Sequence, residues 1–126
     1  MTPIVTENAP AAIGAYSQAV AHGGVVYCSG QIGLKPDGTR AGSDVKTQTE
    51  AALKNLDAIL TAAASSRDQV IRATIFLASM EDFGVVNEVY AAFFGEHRPA
   101  RACVEASRLP KDALVEISCI AASSLA

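Results

Sequence analysis

Arg98-Pro99-Ala100-Arg101-Ala102-Cys103-Val104-Glu105 decides how this chain is laid out, because a proline-stiffened turn delivers an arginine into a short alternating run. Pro99 fixes its own φ and pushes His97-Arg98 out of helical geometry, so a preceding helix must give way to extended structure here. A pleat of period two then puts Arg101, Cys103 and Glu105 on one face and Ala100, Ala102, Val104 and Ala106 on the other. A guanidinium so placed is suited to hold an anion; the plainer reading is an arginine on a half-exposed strand.

Upstream, Ser79-Met80-Glu81-Asp82 carries the cap and early acid of a helix start, and the helix is predicted to run to about Phe94 with Gly95 as its stop. Its apolar stripe is Phe83, Val86, Tyr90 and Phe94, and Asn87 falls inside that stripe. An inward amide needs partners, so Asn87 either bonds neighbouring backbone or faces a ligand pocket or a subunit contact. Val70 to Leu77 is β-branched and aromatic enough for a buried strand. Before the break at Ser65-Ser66, a helix capped by Ser43 or Asp44 carries Val45, Ala52, Leu53, Leu56, Ile59, Leu60 and Ala63 on one stripe. Lys35 to Thr39 is a turn, and Tyr16 to Ala21 and Val25 to Ser29 are strands joined by a His22-Gly23-Gly24 hairpin. The residues before them, with Pro3 and Pro10, form an extended leader with a short edge strand, ended by a turn at Gly14.

Downstream, Ala100 to Ser107 is a strand, Leu109 to Asp112 a turn and Ala113 to Ala122 the last strand. Glu116 interrupts the most hydrophobic run of the chain, where an unpaired carboxylate is costly. Either it forms a structural ion pair with Arg101 on a neighbouring strand, or it is a base that holds a water while Arg101 holds an anionic substrate.

The 126 residues fit a single domain spanning 1–126, of α+β class: a mixed sheet of five to six strands with two helices on one face. The other face, expected to be lined by Ala and Val, should meet copies of itself in a closed homo-oligomer. A net charge of -3 without a basic run argues against nucleic acid as a partner. Cys28, Cys103 and Cys119 have no C-x-x-C spacing and no charged leader with an apolar core opens the sequence, which favours a cytoplasmic setting. No apolar run approaches membrane-spanning length. His22 and His97 lie in turns without ligand spacing, so no metal is expected, and the dinucleotide, phosphate-loop and serine-elbow motifs are missing. Cys103 has no histidine beside it and reads more readily as a small hydrophobe than as a nucleophile. Tyr16 and Ser29 sit at strand ends beside Gly14 and Gly30, where backbone can approach a ligand.

Gly14-Ala15-Tyr16-Ser17-Gln18-Ala19, Cys28-Ser29-Gly30-Gln31-Ile32, Val86 to Tyr90 with Phe93-Phe94, Pro99 to Val104, and Leu109-Pro110-Lys111 with Val115-Glu116-Ile117 occur in order along nearly the whole chain. Together they resemble the reactive-intermediate deaminase family, RidA or YjgF. The resemblance implies a chorismate-mutase-like subunit in a homotrimer with clefts between subunits. It implies a cofactor-free deaminase that hydrolyses enamine and imine acids such as 2-aminoacrylate or 2-aminocrotonate to the 2-keto acid and ammonia. It assigns Arg101 to the substrate carboxylate, and Glu116 with the main-chain carbonyl of Cys103 to the attacking water. Tyr16, counted with the catalytic residues, and Ser29, Gly30 and Asn87 line the cleft. Two departures bear on substrate choice: Ala15 stands where proline is usual, and the loop Gly95-Glu96-His97-Arg98 is short and lacks the usual aromatic. A competing class is a binder of small keto acids using the same Arg101 cleft; a third is the ribonuclease activity attributed to some relatives, against which the acidic balance argues.

Overall fold

The computed structural model describes residues 1–125. Six strands and two α-helices follow in the order β1 (Thr2–Ile4), β2 (Ala19–His22), β3 (Val25–Gln31), α1 (Val45–Ala62), β4 (Val70–Leu77), α2 (Phe83–Phe94), β5 (Ala100–Glu105) and β6 (Val115–Ala122). All strands join one sheet ordered β1-β2-β3-β6-β4-β5. Every pairing is antiparallel except β4 with β5, which run parallel because α2 carries the chain back across the sheet between them.

The alternation of β6 sorts the two faces. Val115, Ile117, Cys119 and Ala121 are buried, as are Ala73, Ile75 and Leu77 of β4 and Val26 and Cys28 of β3. Both helices pack on this face, α1 through Ala52, Leu53, Leu56, Ile59 and Leu60 and α2 through Val86, Tyr90 and Phe94, and the whole forms one core. The expected single helical layer is thus present. The opposite face carries Glu116, Ser118 and Ile120 of β6, Thr74 and Phe76 of β4, Val104 of β5 and Tyr27 of β3. It is larger and more polar than the Ala and Val lining expected. Tyr27 and Val104 are 49% and 44% exposed on it.

Local chemistry explains most element ends. Asp44 caps α1, accepting from Thr47 N at 2.9 Å and from its hydroxyl at 3.0 Å. The far end of α1 is tied to the segment after β6, where the Ser123 hydroxyl donates to Ala63 O and the Ser65 hydroxyl to Ala122 O. Gly23 and Gly24 turn the β2–β3 hairpin with φ of 61° and 81°, the two positive values a type I′ turn requires. His22 is the last residue of β2, paired with Val25, and not part of the turn. Ser79 caps something other than the α-helix expected: it accepts from Glu81 N and starts a single 3-10 turn, Met80–Asp82, from which α2 continues at Phe83. Tyr16 to Gln18 also lie outside β2, because the Gln18 side chain is spent on the leader and Gln18 O on Ser29 N. No helix among the described residues is long and apolar enough to cross a membrane.

Candidate active site

Arg101 stands on β5, the strand that ends the sheet. Its register opposite Ala73, with Cys103 opposite Ile75, places both side chains on the helix-bearing face. There α2 meets it: Nη1 donates to Asn87 Oδ1 at 2.7 Å, and the guanidinium carbon lies 5.0 Å from the centre of the Tyr90 ring and 5.5 Å from that of Phe83. Positions 83, 87 and 90 fall on one side of a helix, so one amide and two π faces hold the fork from below. Arg101 stays exposed, and neither ion pair found among the described residues, Arg67 with Asp57 and Arg108 with Asp112, involves it.

Asn87 is therefore half-buried at the rim of the core, bonded to an arginine and not to backbone. Phe83, expected in the buried stripe, is 36% exposed and faces the cation. Cys103 is half-buried; burial pushes its thiol up while the charge of Arg101 pulls the other way. A thiol held protonated is a weak nucleophile. Its main-chain carbonyl has a different outlook. Ala106 N donates to Leu77 O, which turns the even-numbered residues of β5 toward β4 and leaves the Cys103 carbonyl on the open edge. Beneath Arg101, the Tyr90 hydroxyl is buried without a partner among the described residues, and burial pushes its phenol up.

Glu116 stands on the other face. It is opposite Phe76, which is in turn opposite Val104, so the pleat turns Glu116 away from Arg101 and Cys103. Its side chain crosses Gly30 so closely that a Cβ there would lie 2.3 Å from Oε2, which accounts for a glycine at that position. Burial pushes the Glu116 carboxyl up, and among the described residues no hydrogen bond reaches it. Tyr16, Ser29, Gly30 and Glu116 share a cavity of about 640 Å³ whose other walls include Ala11, Ile13, Ile32, Leu34 and Lys111. The Ser29 hydroxyl donates to Ser17 O at 2.6 Å, which fixes the turn that presents Tyr16.

The seven residues singled out from the sequence thus divide into two groups. Arg101, Asn87 and Cys103 gather at the β5 edge; Tyr16, Ser29, Gly30 and Glu116 gather on the opposite face. A structural Arg101–Glu116 ion pair is excluded within the chain, since β4 separates β5 from β6 and the two side chains point to opposite sides. Local periodicity holds no warning of this, because strand order is not written in it. It also concealed the roles of Phe83 and Tyr90, whose helical spacing is that of any core stripe. Gln18, Gln48 and Asn55 were overlooked as well. Each is a buried amide that pins irregular backbone around the cavity: Gln18 the leader, Gln48 Gly42 O and Leu114 N, and Asn55 Leu34 O. The available signal was helical spacing: Gln48 lies four residues before Ala52 and Asn55 four before Ile59, on the apolar stripe of α1. Among the described residues no three of His, Cys, Asp and Glu come together.

Residues 6–123 match the family described as Endoribonuclease L-PSP. The chain belongs to this family. A RutC family protein of Pyrococcus horikoshii is 51% identical over 119 residues, 94% of each chain. The 2-iminobutanoate/2-iminopropanoate deaminase of Salmonella typhimurium is 46% identical over 121 residues, again 94% of each. Among solved structures, Escherichia coli TdcF with bound serine matches with a TM-score of 0.93 at 43% identity, covering 98% of this chain and 100% of that one. The YjgF gene product of Escherichia coli gives 0.93 at 44%, covering 97% and 98%. The reactive-intermediate deaminase resemblance and the α+β fold read from the sequence are both borne out.

Proposed function

We propose that the protein is a hydrolytic deaminase of 2-enamine and 2-imine acids, working as a homotrimer whose sites form where the Arg101 edge of one subunit meets the Glu116 face of the next. The observation that carries this reading is the division itself. A cation without an ionic partner and a carboxylate without a hydrogen bond, among the described residues, are held on opposite sides of one sheet, so each is open to a partner from outside the chain. Relatives named 2-iminobutanoate/2-iminopropanoate deaminase at 46% identity supply the chemistry that such a pair could serve.

The planar fork of Arg101 takes the substrate carboxylate through two parallel bonds, and Asn87, Phe83 and Tyr90 fix the fork beforehand. An enamine gains a proton at C3 and becomes the iminium, whose C2 is the electrophile. Glu116, with the carbonyl of Cys103, holds a water and takes one of its protons as the oxygen bonds to C2. The carbinolamine nitrogen then accepts that proton; as the hydroxyl gives its own proton to Glu116 and the C=O bond forms, the C–N bond breaks and ammonia leaves the 2-keto acid, the proton on Glu116 making good the one spent at C3. One water is consumed and no electrons are exchanged. Tyr16 and Ser29 border the reacting centre, and Gly30 leaves room for the carboxylate. Its raised pKa suits Glu116 to hand the proton on again.

Mixing subunits tests this reading. Arg101→Ala and Glu116→Gln homo-oligomers should each be nearly inactive on 2-aminocrotonate. Unfolded together and refolded, they should regain about a quarter of the wild-type rate by random pairing at shared sites. Independent chains gain nothing from mixing, so no recovery would defeat the shared site. Full activity of either variant alone would defeat the deaminase roles.

A further inference from the structure

We propose that Cys28 and Cys119 form a site of reversible oxidation, at which a disulfide ties β3 to β6 across the middle of the sheet. The proposal does not depend on the deaminase reading.

The register sets the two residues directly opposite one another. Further along the same ladder Ser123 N donates to Gly24 O, and on the β2 side Ser29 N donates to Gln18 O. Both bonds fix the phase of the alternation: the peptide groups of Cys28 and Cys119 face each other as a hydrogen-bonded pair, whose Cα atoms lie about 5.5 Å apart. A disulfide spans about 4.4 to 6.8 Å between Cα atoms, so the backbone is already at bonding separation.

The side chains agree. Both turn to the helix-bearing face, where Cys28 is 7% and Cys119 4% exposed. Ala19 on β2 stands opposite Cys28, and Ala73 on β4 stands opposite Cys119. Across the sheet the row therefore reads Ala-Cys-Cys-Ala, and each sulfur has the other as its bulkiest neighbour within it. The thiols act on one another: contact with Cys28, and then burial, push the Cys119 thiol up. All three cysteines are thiols in this structure.

Two features make such a bond reversible. Facing residues hold their Cβ atoms about 4.5 to 5.5 Å apart, whereas a disulfide needs about 3.8 Å, so closure draws the strands together and stores strain. Strained disulfides are the more easily reduced. The register of β3 on β6 also shifts between Cys28 and Gln31, so the regular ladder ends at this pair. An irregularity there lets the strand give way inward and open locally to a small oxidant.

Hydrogen peroxide can supply the oxidation. One sulfur attacks a peroxide oxygen and becomes a sulfenic acid, and its thiol proton leaves with the other oxygen as water. The second sulfur then displaces the sulfenic hydroxyl, which takes the second thiol proton and leaves as another water while the S–S bond forms. The sulfurs give up two electrons and the peroxide accepts them.

The test uses Cys103→Ala protein, in which this pair holds the only thiols. It is treated with hydrogen peroxide, alkylated after unfolding, and digested for mass spectrometry. Both thiols should be lost, a peptide should join Cys28 to Cys119 within one chain, and millimolar reduced glutathione should restore both thiols. The bond closes most of the unfolded chain into a loop, so the oxidised protein should melt at least about 5 °C above the reduced one. Cys28→Ala and Cys119→Ala, each in the same background, should show no such rise.

Thiols that stay open to alkylation under a treatment that oxidises the unfolded protein would overturn the assignment, as would linkage found only between chains. A cross-link that leaves Tm unchanged or lowers it would show that the register does not accommodate the bond. A disulfide that glutathione leaves closed would defeat its reversibility.

Discussion

The Arg101 edge and the Glu116 face are prepared in opposite ways. Arg101 is surrounded: an amide at 2.7 Å and two aromatic rings fix its fork. Glu116 is left alone, with no hydrogen bond from the described residues and a carboxyl pushed up by burial. A group that binds gains from being fixed before its ligand arrives; a group that moves protons needs its lone pairs free and its pKa nearer neutrality. One chain thus keeps two differently prepared surfaces apart, and only assembly brings their chemistry together in the proposed site.

The largest expected effects fall on the two groups themselves. Arg101→Ala removes two charge-assisted bonds of about 1.5 to 3 kcal/mol each, and steady-state kinetics should show a loss of at least about a hundredfold in kcat/KM. Binding of a keto acid should be lost with it. Glu116→Gln should lower kcat by about a hundredfold or more while calorimetry finds keto-acid binding intact. Because the two are not paired within the chain, neither change strands a buried partner, and both variants should melt close to the wild type. Sharp destabilisation of both would mean that they stabilise one another across subunits.

Gly30→Ala probes the Glu116 face alone. The added methyl would sit 2.3 Å from Oε2, and the end of a flexible side chain gives way more easily than backbone, so the carboxylate should swing aside. About a tenfold fall in kcat with little change in Tm is expected. Asn87→Ala probes the other side. Loss of one bond to the guanidinium should raise KM by about tenfold and leave kcat near its original value. An equal effect on kcat would mean that Asn87 touches the reacting centre. Cys103→Ala, which keeps the carbonyl and removes a thiol that burial holds protonated, should stay within about threefold of wild-type activity.

The smallest effects are those of pH. A base must be ionised, so kcat/KM should fall as pH drops through a pKa above the ordinary glutamate range. Stability runs the other way. Burial raises the pKa of Glu116 in the folded protein, so the folded state holds its proton more tightly than the unfolded one; that contribution is full at low pH and lost as pH rises through the raised value. Glu116→Gln should therefore melt slightly above the wild type at pH 7, by a few degrees at most, and level with it in acid. A lower Tm at pH 7 would show that the assembled protein gives Glu116 a partner.

Much of the fold was legible because its elements are strongly periodic. Val70–Leu77 was read with both ends right, and the α1 stripe from Ala52 to Ala63 is buried throughout. Asp44 was one of the two caps foreseen. Where the reading failed, tertiary structure had taken over a local signal. Ser79 has a capping side chain, but Glu105 accepts from Met80 N and the turn it starts is 3-10. Tyr16 to Gln18 have the composition of a strand, yet Gln18 is committed to the leader. The candidate site was legible residue by residue and illegible as an arrangement. Sequence told which side chains share a face of one strand; it could not tell that β4 would come between β5 and β6, and so it suggested a bond between groups that face apart.

β6 lies at the middle of the sheet, between β3 and β4, although it is the last of these six strands in chain order. While the protein is being synthesised, β1 to β3 can pair as a meander and β4 with β5 as a parallel unit crossed by α2, and the edges they turn toward each other stay unpaired until β6 has left the ribosome. Synthesis at about 5 to 20 residues per second makes that interval long compared with the collapse of a short chain. Open edges of this kind are templates for pairing with other chains. Until its central strand arrives, both halves of the sheet offer such a template.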